Sequence, residues 1–255
     1  MANRRGHLLF FCVALLGAAA PAWSSEGETP HAADGVILLH GLARSSASMN
    51  RMADALSLAG FVVLNVDYPS RTGTIDELAE SAVGAALRDA TLAPCPRVHV
   101  VAHSLGGILV RVYMANHVEP RLGRVVMLGP PNQGSEVVDR IGSWRLFKAI
   151  NGPAGQQLGT ASVAIPRQLG PPTFELGVIA GRRSINWINS LMIPGTDDGK
   201  VSIASTRVEG MADHCVLPVS HPFIMKDREA IRQTLYFLRE GRFDQAPAGI
   251  RQAAD

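Results

Sequence analysis

Residues 99–111 have the sequence HVVAHSLGGILVR, which joins two apolar segments through a single serine. Apolar residues typical of a buried strand run up to Ser104, and a second apolar stretch begins at once through Gly106 and Gly107. Because no loop fits between them, the chain must turn sharply from strand to helix at the serine. The small residues Ala102 and Gly106 let the two backbones approach closely at this turn. The serine hydroxyl and the free N–H groups of the helix start then face the same crevice.

Similar apolar runs recur along the chain, separated by stretches with helical spacing. The runs are continuous rather than alternating, as expected for strands buried on both faces. The predicted strands span residues 35–41, 61–68, 97–104, 124–131, 175–181 and 214–220, and the predicted helices span residues 48–60, 75–90, 105–118 and 223–240. This alternation predicts an α/β fold, with a mostly parallel sheet of about six strands and helices on both faces.

One long segment, residues 132–174, interrupts the alternation between the fourth and fifth predicted strands. It contains EVVDRIGSWRLFKAIN, in which Val137, Ile141, Trp144 and Phe147 fall on roughly one helical face. Two interpretations remain open. The segment is either a packing helix followed by a loop rich in Gly and Pro, or a cap or lid whose apolar face covers a binding pocket.

The strand–serine–helix junction resembles that of the α/β-hydrolase superfamily. AHSLGG, residues 102–107, is similar to the nucleophile elbow of bacterial lipases and esterases, in which alanine replaces the first glycine of G-x-S-x-G. The resemblance implies that Ser104 is the nucleophile. It also implies that the loop after the first strand, at LLHGLARSS, helps to form an oxyanion hole from the backbone N–H groups of Leu42 and Leu105.

A serine nucleophile needs a base and an orienting acid, which follow it in the order acid and then histidine in this fold. Ligands bind beyond the carboxyl ends of the strands in an open α/β sheet. His221 closes the last predicted strand whereas His214 opens it, so we predict His221 as the base and retain His214 as the alternative.

The candidate acids Asp197 and Asp198 are adjacent in GTDDGKVS, residues 195–202, and cannot both face one imidazole. The resemblance to lipases favours Asp198, which precedes a Gly-x-Val turn, and Asp197 is the alternative acid. Either carboxylate also fits an ordinary turn, because Asp-Gly is common turn chemistry. Of the other polar residues near the elbow, His40 is expected to shape its turn, and His103 is expected to point to the face opposite Ser104.

The N-terminus predicts a signal peptide over residues 1–22. Arg4 and Arg5 precede an apolar run from Leu8 to Ala20, which is followed by small residues. A membrane anchor is the alternative, although the run is shorter than the roughly 20 residues that span a bilayer. The remaining chain is assigned to one domain, residues 23–242, and a loose tail, residues 243–255. We therefore expect a secreted or periplasmic protein.

Charge and cysteine content narrow the function further. The chain has 24 Lys plus Arg and 22 Asp plus Glu, so losing Arg4 and Arg5 leaves 22 of each. Without a basic arm or stripe, nucleic acid is not an expected partner. Cys95 lies at the start of the third predicted strand region, just before residue 97, and Cys215 lies at the start of the last strand. In this fold two strands separate them, so their Cα atoms should be about 14 Å apart at the ~4.8 Å strand spacing, which is too far for a disulfide. The sequence has no metal or nucleotide motif, so no cofactor is expected.

Together these features predict a secreted serine hydrolase that cleaves carboxylic esters through an acyl-enzyme, as lipases and esterases do. The expected partner is a small-molecule or lipid ester, with transient contact to a lipid surface, and the oligomeric state is left open. The same triad would also serve an acyltransferase, a thioesterase or an amidase. A noncatalytic binding module with this fold is a further alternative.

Overall fold

The computed structural model describes residues 32–185 and 187–245, without the side chain of Trp187. The predicted signal peptide, residues 1–22, lies outside this part of the chain. Residues 246–255 of the predicted tail also lie outside it. Within the described residues, no helix is both long enough and apolar enough to cross a membrane.

Six parallel strands form one sheet with the order β2-β1-β3-β4-β5-β6. The strands are β1 Gly35–Leu39, β2 Val62–Val66, β3 Val98–His103, β4 Leu122–Leu128, β5 Leu176–Gly181 and β6 Asp213–Leu217. Strands β1, β3 and β5 are buried throughout, whereas the edge strands β2 and β6 are mostly half-buried. The predicted α/β fold with a parallel sheet is confirmed.

Helices cover both faces of this sheet. They are α1 Asn50–Leu58, α2 Ile75–Leu78, α3 Ala85–Leu87, α4 Leu105–Asn116, α5 Glu136–Ile141, α6 Arg145–Gln156, α7 Ile165–Gln168, α8 Trp187–Ser190, α9 Ile203–Thr206 and α10 Arg228–Glu240. A π-helical turn, Ala79–Gly84, joins α2 to α3, and 3₁₀ turns cover Ser46–Met49, Ala90–Leu92 and Ile224–Lys226.

Side chains alternate between two cores along the strands. Ile37 and Leu39 of β1 belong to the core that contains α4, whereas Val36 and Leu38 belong to the core that contains α1 and α10. The chain runs from β1 outward to β2 and then crosses to β3 on the other side of β1. Such a reversal of strand order opens a crevice at the carboxyl ends of the strands. The crevice therefore lies at the ends of β1 and β3.

The segment between β4 and β5 does not form the single helical face that the sequence predicts. The chain makes two helices, α5 and α6, because Gly142 and Ser143 interrupt the helical run. Trp144 is consequently 61% exposed and does not share a face with Val137 and Ile141. The helical assignment is right, but the alignment of Trp144 with the other apolar residues is wrong.

The packed domain extends slightly beyond its predicted end at residue 242. Phe243 is fully buried and contacts the ring of Phe237, with 4.9 Å between ring centroids. Asp244 accepts a hydrogen bond from Arg232 at 2.8 Å. Because an aromatic side chain is buried here, the predicted tail begins too early.

Arg111, on α4, anchors both ends of the segment between β4 and β5. Its side chain is 3% exposed. One guanidinium nitrogen donates to the backbone and side-chain oxygens of Asn132, each at 3.1 Å. The other donates to the carbonyls of Leu169 and Gly170 at 3.0 and 3.1 Å. Since a buried charge needs such partners, Arg111 ties this segment to α4.

Replacing Arg111 with Met should lower the free energy of unfolding by about 3 kcal/mol, because two buried oxygens of Asn132 and two partly buried carbonyls lose a charged donor. Urea denaturation of Arg111→Met measures the effect. Arg51→Met, at an exposed position on α1, serves as the control and should unfold like the wild type. Equal stability of the two variants would contradict the anchoring role.

Candidate active site

The strand-to-helix turn at Ser104 is built as the sequence predicts. Ser104 has φ 53° and ψ −118°, a left-handed conformation that non-glycine residues rarely adopt. Its backbone N–H donates to the carbonyl of Leu128, and its carbonyl accepts from Gly107, both at 3.0 Å. A Cβ on Gly106 would lie 3.0 Å from the carbonyl oxygens of Leu39 and His40. The absence of a side chain at Gly106 therefore lets α4 approach β1.

Ser104, His221 and Asp198 form one continuous chain of hydrogen bonds. The distance from Ser104 Oγ to His221 Nε2 is 3.1 Å, and the distance from His221 Nδ1 to Asp198 Oδ2 is 2.7 Å. The exposed fractions of the three residues are 9%, 4% and 1%. With Nδ1–H donating to the carboxylate, Nε2 is free to accept the serine proton. The arrangement is suited to making the serine oxygen nucleophilic.

Backbone contacts fix the orientation of Asp198 and His221. Oδ1 of Asp198 accepts from the backbone N–H groups of Lys200 and Val201 at 3.0 and 2.9 Å, which leaves Oδ2 for the imidazole. The backbone N–H of His221 also donates to the carbonyl of Asp198 at 2.9 Å. His221 lies in the loop beyond β6, four residues after the strand ends at Leu217.

The alternative residues lie elsewhere. Asp197 accepts hydrogen bonds from the backbone N–H of Gly199 and from Ser190 Oγ, at 2.7 and 2.8 Å, and so supports the turn. His214 sits near the amino end of β6, where its Nε2 lies 3.0 Å from Thr206 Oγ1. Burial is the main cause that lowers the pKa of His214 to about 4. The structure therefore does not bring Asp197 or His214 to Ser104.

The position of His103 contradicts the prediction that its side chain points to the face opposite Ser104. It lines the same cavity as Ser104, and its ring centroid lies 4.8 Å from that of His221. The rule that strand neighbours face opposite sides fails here because β3 ends at His103 and Ser104 already belongs to the turn. Its Nε2–H donates to the backbone carbonyl of His221 at 3.2 Å. Burial, followed by the positive charges nearby, holds the pKa of His103 well below its usual value, so its ring stays neutral.

The two predicted amide donors, Leu42 and Leu105, belong to the loop after β1 and to the start of α4. Leu42 lines the cavity beside Ser104. Leu105 is the first residue of α4, a position where the backbone N–H has no acceptor within the helix. The next amide in the loop, that of Ala43, donates to Ser70 Oγ at 3.1 Å. His40 supports this loop, as expected, by stacking on Tyr68 with 4.1 Å between ring centroids.

The cavity above Ser104 has a volume of about 410 Å³. Apolar side chains from the segment between β4 and β5 line one side of it. These are Val137, Val138, Ile141, Phe147, Ile150 and Leu158. Arg44 and Lys200 also line the cavity. Of the two interpretations of residues 132–174, the arrangement favours the one in which apolar residues overhang a pocket.

Gly129, at the end of β4, was not identified from the sequence. It has φ 57°, and a Cβ placed there would lie 3.1 Å from both Asp198 Oδ2 and His221 Nδ1. A side chain would therefore crowd the shortest hydrogen bond of the site. The only signal in the sequence was a glycine directly after an apolar run.

The described residues contain no group of three or more His, Cys, Asp or Glu side chains placed to hold a metal ion. The polar groups at Ser104 are instead a hydroxyl, an imidazole, a carboxylate and backbone amides. Such a set can activate a nucleophile and stabilise a developing negative charge.

Several solved structures share this fold at low sequence identity. The mature lipase of Bacillus licheniformis is 20% identical, with a TM-score of 0.66, and the match covers 82% of this chain and 93% of that chain. Lipase B of Aspergillus fumigatus is 15% identical, with a TM-score of 0.59 and coverage of 84% and 54%. A phospholipase of Legionella pneumophila is 18% identical, with a TM-score of 0.57 and coverage of 80% and 61%. No curated protein sequence matches the chain.

A model of the alpha/beta hydrolase family matches residues 36–234. The matched range begins in β1, contains the serine turn and the residues that contact it, and ends within α10. Because this range is well over half of the sequence, and because the observed sheet and elbow agree with it, the chain belongs to the alpha/beta hydrolase family.

Proposed function

We propose that this protein is a serine hydrolase that cleaves carboxylic esters through a covalent acyl-enzyme. The observation that carries the proposal is the continuous hydrogen-bond chain from Ser104 through His221 to Asp198, which lines a cavity with an apolar wall. The similarity to lipases and a phospholipase is a likeness of fold, and it agrees with this proposal without identifying a substrate.

In the proposed mechanism, Ser104 Oγ attacks the ester carbonyl carbon while His221 Nε2 takes the serine proton. Asp198 stabilises the imidazolium that forms. The backbone N–H groups of Leu42 and Leu105 donate to the oxyanion of the tetrahedral intermediate. Collapse of the intermediate breaks the bond to the alcohol, which leaves with the proton from His221. Water, deprotonated by the same imidazole, then attacks the acyl-enzyme and releases the acid.

The neutral ring of His103 supports the base in this scheme. A second positive charge beside His221 would oppose formation of the imidazolium, and burial keeps His103 uncharged. Its hydrogen bond to the His221 carbonyl also restrains the loop that carries the base.

The substrate class follows from the cavity wall. Aliphatic and aromatic side chains on one side favour an ester with an apolar acyl chain. Ile150 and Ile185 line the cavity and are 46% and 61% exposed, which supports transient contact with a lipid surface. Export to the periplasm or medium remains part of the proposal and rests on the N-terminal sequence pattern alone. The intact mass of the exported protein would show whether residues 1–22 are removed.

Ser104→Ala should lower kcat/KM for p-nitrophenyl butanoate by about 10⁴-fold or more, because it removes the nucleophile. A fluorophosphonate probe should label the wild type at Ser104, as located by peptide mass spectrometry. Ser57→Ala, at an exposed serine on α1, should retain both labelling and turnover. Turnover that survives in Ser104→Ala, or that favours matched thioesters or amides over esters, would contradict the proposal.

The adjacent aspartates should differ sharply in their effect on turnover. Asp198→Asn should reduce kcat by roughly 10⁴-fold, because the amide no longer stabilises the imidazolium or fixes its tautomer. Asp197→Asn should stay within about tenfold of the wild type, because Asp197 only supports the turn. Ester kinetics on both folded variants measure the contrast. A larger loss in Asp197→Asn would reverse the assignment of the acid.

Acyl-chain preference should depend on the apolar wall. Phe147→Ala should lower kcat/KM for the p-nitrophenyl octanoate ester about tenfold more than for the acetate ester, since the longer chain loses buried apolar contact. Leu146→Ala is the matched control, because Leu146 is 70% exposed on the same helix and does not line the cavity. A uniform loss across chain lengths in Phe147→Ala would argue against acyl binding at this wall.

A further inference from the structure

Two positively charged side chains, those of Arg44 and Lys200, line the cavity that contains Ser104. They come from different loops. Arg44 belongs to the loop after β1 that also carries Leu42, and Lys200 lies two residues after Asp198 in the loop before α9. A cavity with an apolar wall does not need two cations for its shape, and polar groups in such a cavity usually select or orient a ligand.

The backbone of each residue is fixed close to the candidate catalytic groups. The N–H of Lys200 donates to Asp198 Oδ1, and its carbonyl accepts from Ser135 Oγ, both at 3.0 Å. The N–H of Arg44 donates to the carbonyl of Gly41 at 3.3 Å, within the turn at the end of β1. Both side chains therefore start from anchored backbone positions in two loops that line the same cavity as Ser104.

Neither cation has a carboxylate partner among residues 32–185 and 187–245. None of the salt bridges found in that part of the chain includes Arg44 or Lys200. Asp198, the carboxylate whose charge acts on Lys200, already pairs with His221 at 2.7 Å. The charge of the pair is therefore not neutralised by a salt bridge within the described fold.

The two cations also repel one another. Burial of the Lys200 ammonium, followed by repulsion from Arg44, lowers the pKa of Lys200, although the nearby Asp198 carboxylate opposes this effect. Lys200 taken as a whole residue is exposed and lines the cavity, so the burial acts on its ammonium group among the cavity walls and not on the entire residue. Both charges also act on His103, whose pKa they lower further. Such mutual repulsion is relieved when an anion lies between the two groups.

We infer that Arg44 and Lys200 form a subsite for an anionic group, a carboxylate or a phosphate, on the ester that reacts at Ser104. The inference rests on the proposed ester hydrolysis and narrows its substrate class to esters that carry a negative charge. The apolar wall holds the acyl chain, and the cationic pair holds the charged group. The two halves of the cavity thus recognise different parts of one substrate.

Two matched substrate pairs test the inference and distinguish the sources of the anion. On the acyl side, mono-p-nitrophenyl adipate is compared with p-nitrophenyl hexanoate. On the alcohol side, the butanoyl ester of glycerol 3-phosphate is compared with butanoylglycerol. The readout is the ratio of kcat/KM for the anionic ester to that for the neutral ester.

At least one ratio should fall about fivefold in Arg44→Gln and in Lys200→Gln, and further in the double variant, because each cation makes a partly solvated ion pair. Arg44→Glu should reverse the preference. The wild-type preference should also weaken as NaCl rises from about 0.05 to 0.5 M, because salt screens such pairs. Arg51→Gln, which removes one exposed positive charge on α1, should leave both ratios unchanged.

The outcomes separate this inference from the proposed function. If the neutral esters are hydrolysed at Ser104 but the substitutions change neither ratio, the anionic subsite is wrong and the hydrolase proposal stands. If a preference appears only on anionic vesicles, the cations act at a lipid surface and the subsite is again wrong. If no ester is hydrolysed, the hydrolase proposal fails. In that case calorimetry with hexyl phosphate tests the anionic subsite without turnover. Tighter binding to the wild type than to Arg44→Gln supports the subsite, and equal binding overturns it.

Discussion

The left-handed backbone of Ser104 sets the direction of its hydroxyl and so the geometry of the whole site. A non-glycine residue in this conformation costs of order 1–3 kcal/mol, so it persists only where the surroundings enforce it. Here β3 and most of α4 are buried, and only Ser104 separates the end of the strand from the start of the helix. The amide of Ser104 is bound by Leu128 of the next strand. Packing of the core therefore maintains the strained backbone of Ser104. In this conformation the Ser104 hydroxyl contacts His221, which in turn contacts Asp198.

Much of this arrangement follows from patterns that are local in the sequence. Continuous apolar runs indicate strands buried on two faces, and the parallel sheet follows from the helices between them. The choice between Asp198 and Asp197 does not follow in the same way. Both side chains are carboxylates in one turn, and their directions depend on which backbone amides each of them accepts. Those hydrogen bonds involve Lys200 and Val201 for one and Gly199 for the other.

The wrong predictions for His103 and Trp144 share a physical cause, which is that a regular pattern does not continue past the end of its element. Alternation of faces applied to β3 but not to the turn after His103, and helical spacing applied to α5 but not across Gly142. The role of Arg111 in anchoring the segment between β4 and β5 does not follow from the sequence for a different reason. An arginine inside the apolar run ILVRVYM indicates a buried, paired charge, because an arginine is almost never fully buried without partners. The sequence does not name those partners, since they lie in a distant loop.

The clamp formed by Arg111 has a consequence for how this protein can diversify. Its two anchor points, at Asn132 and at Leu169–Gly170, lie near the ends of the segment that supplies the apolar wall of the cavity. Both anchors are held from the same helix that begins after Ser104. Because these hydrogen bonds involve none of the residues that line the cavity, substitutions in the apolar wall leave the attachment to α4 in place. The candidate catalytic groups thus lie at the edge of the sheet, and the apolar wall of the cavity lies on a segment whose residues can vary without detaching it from α4.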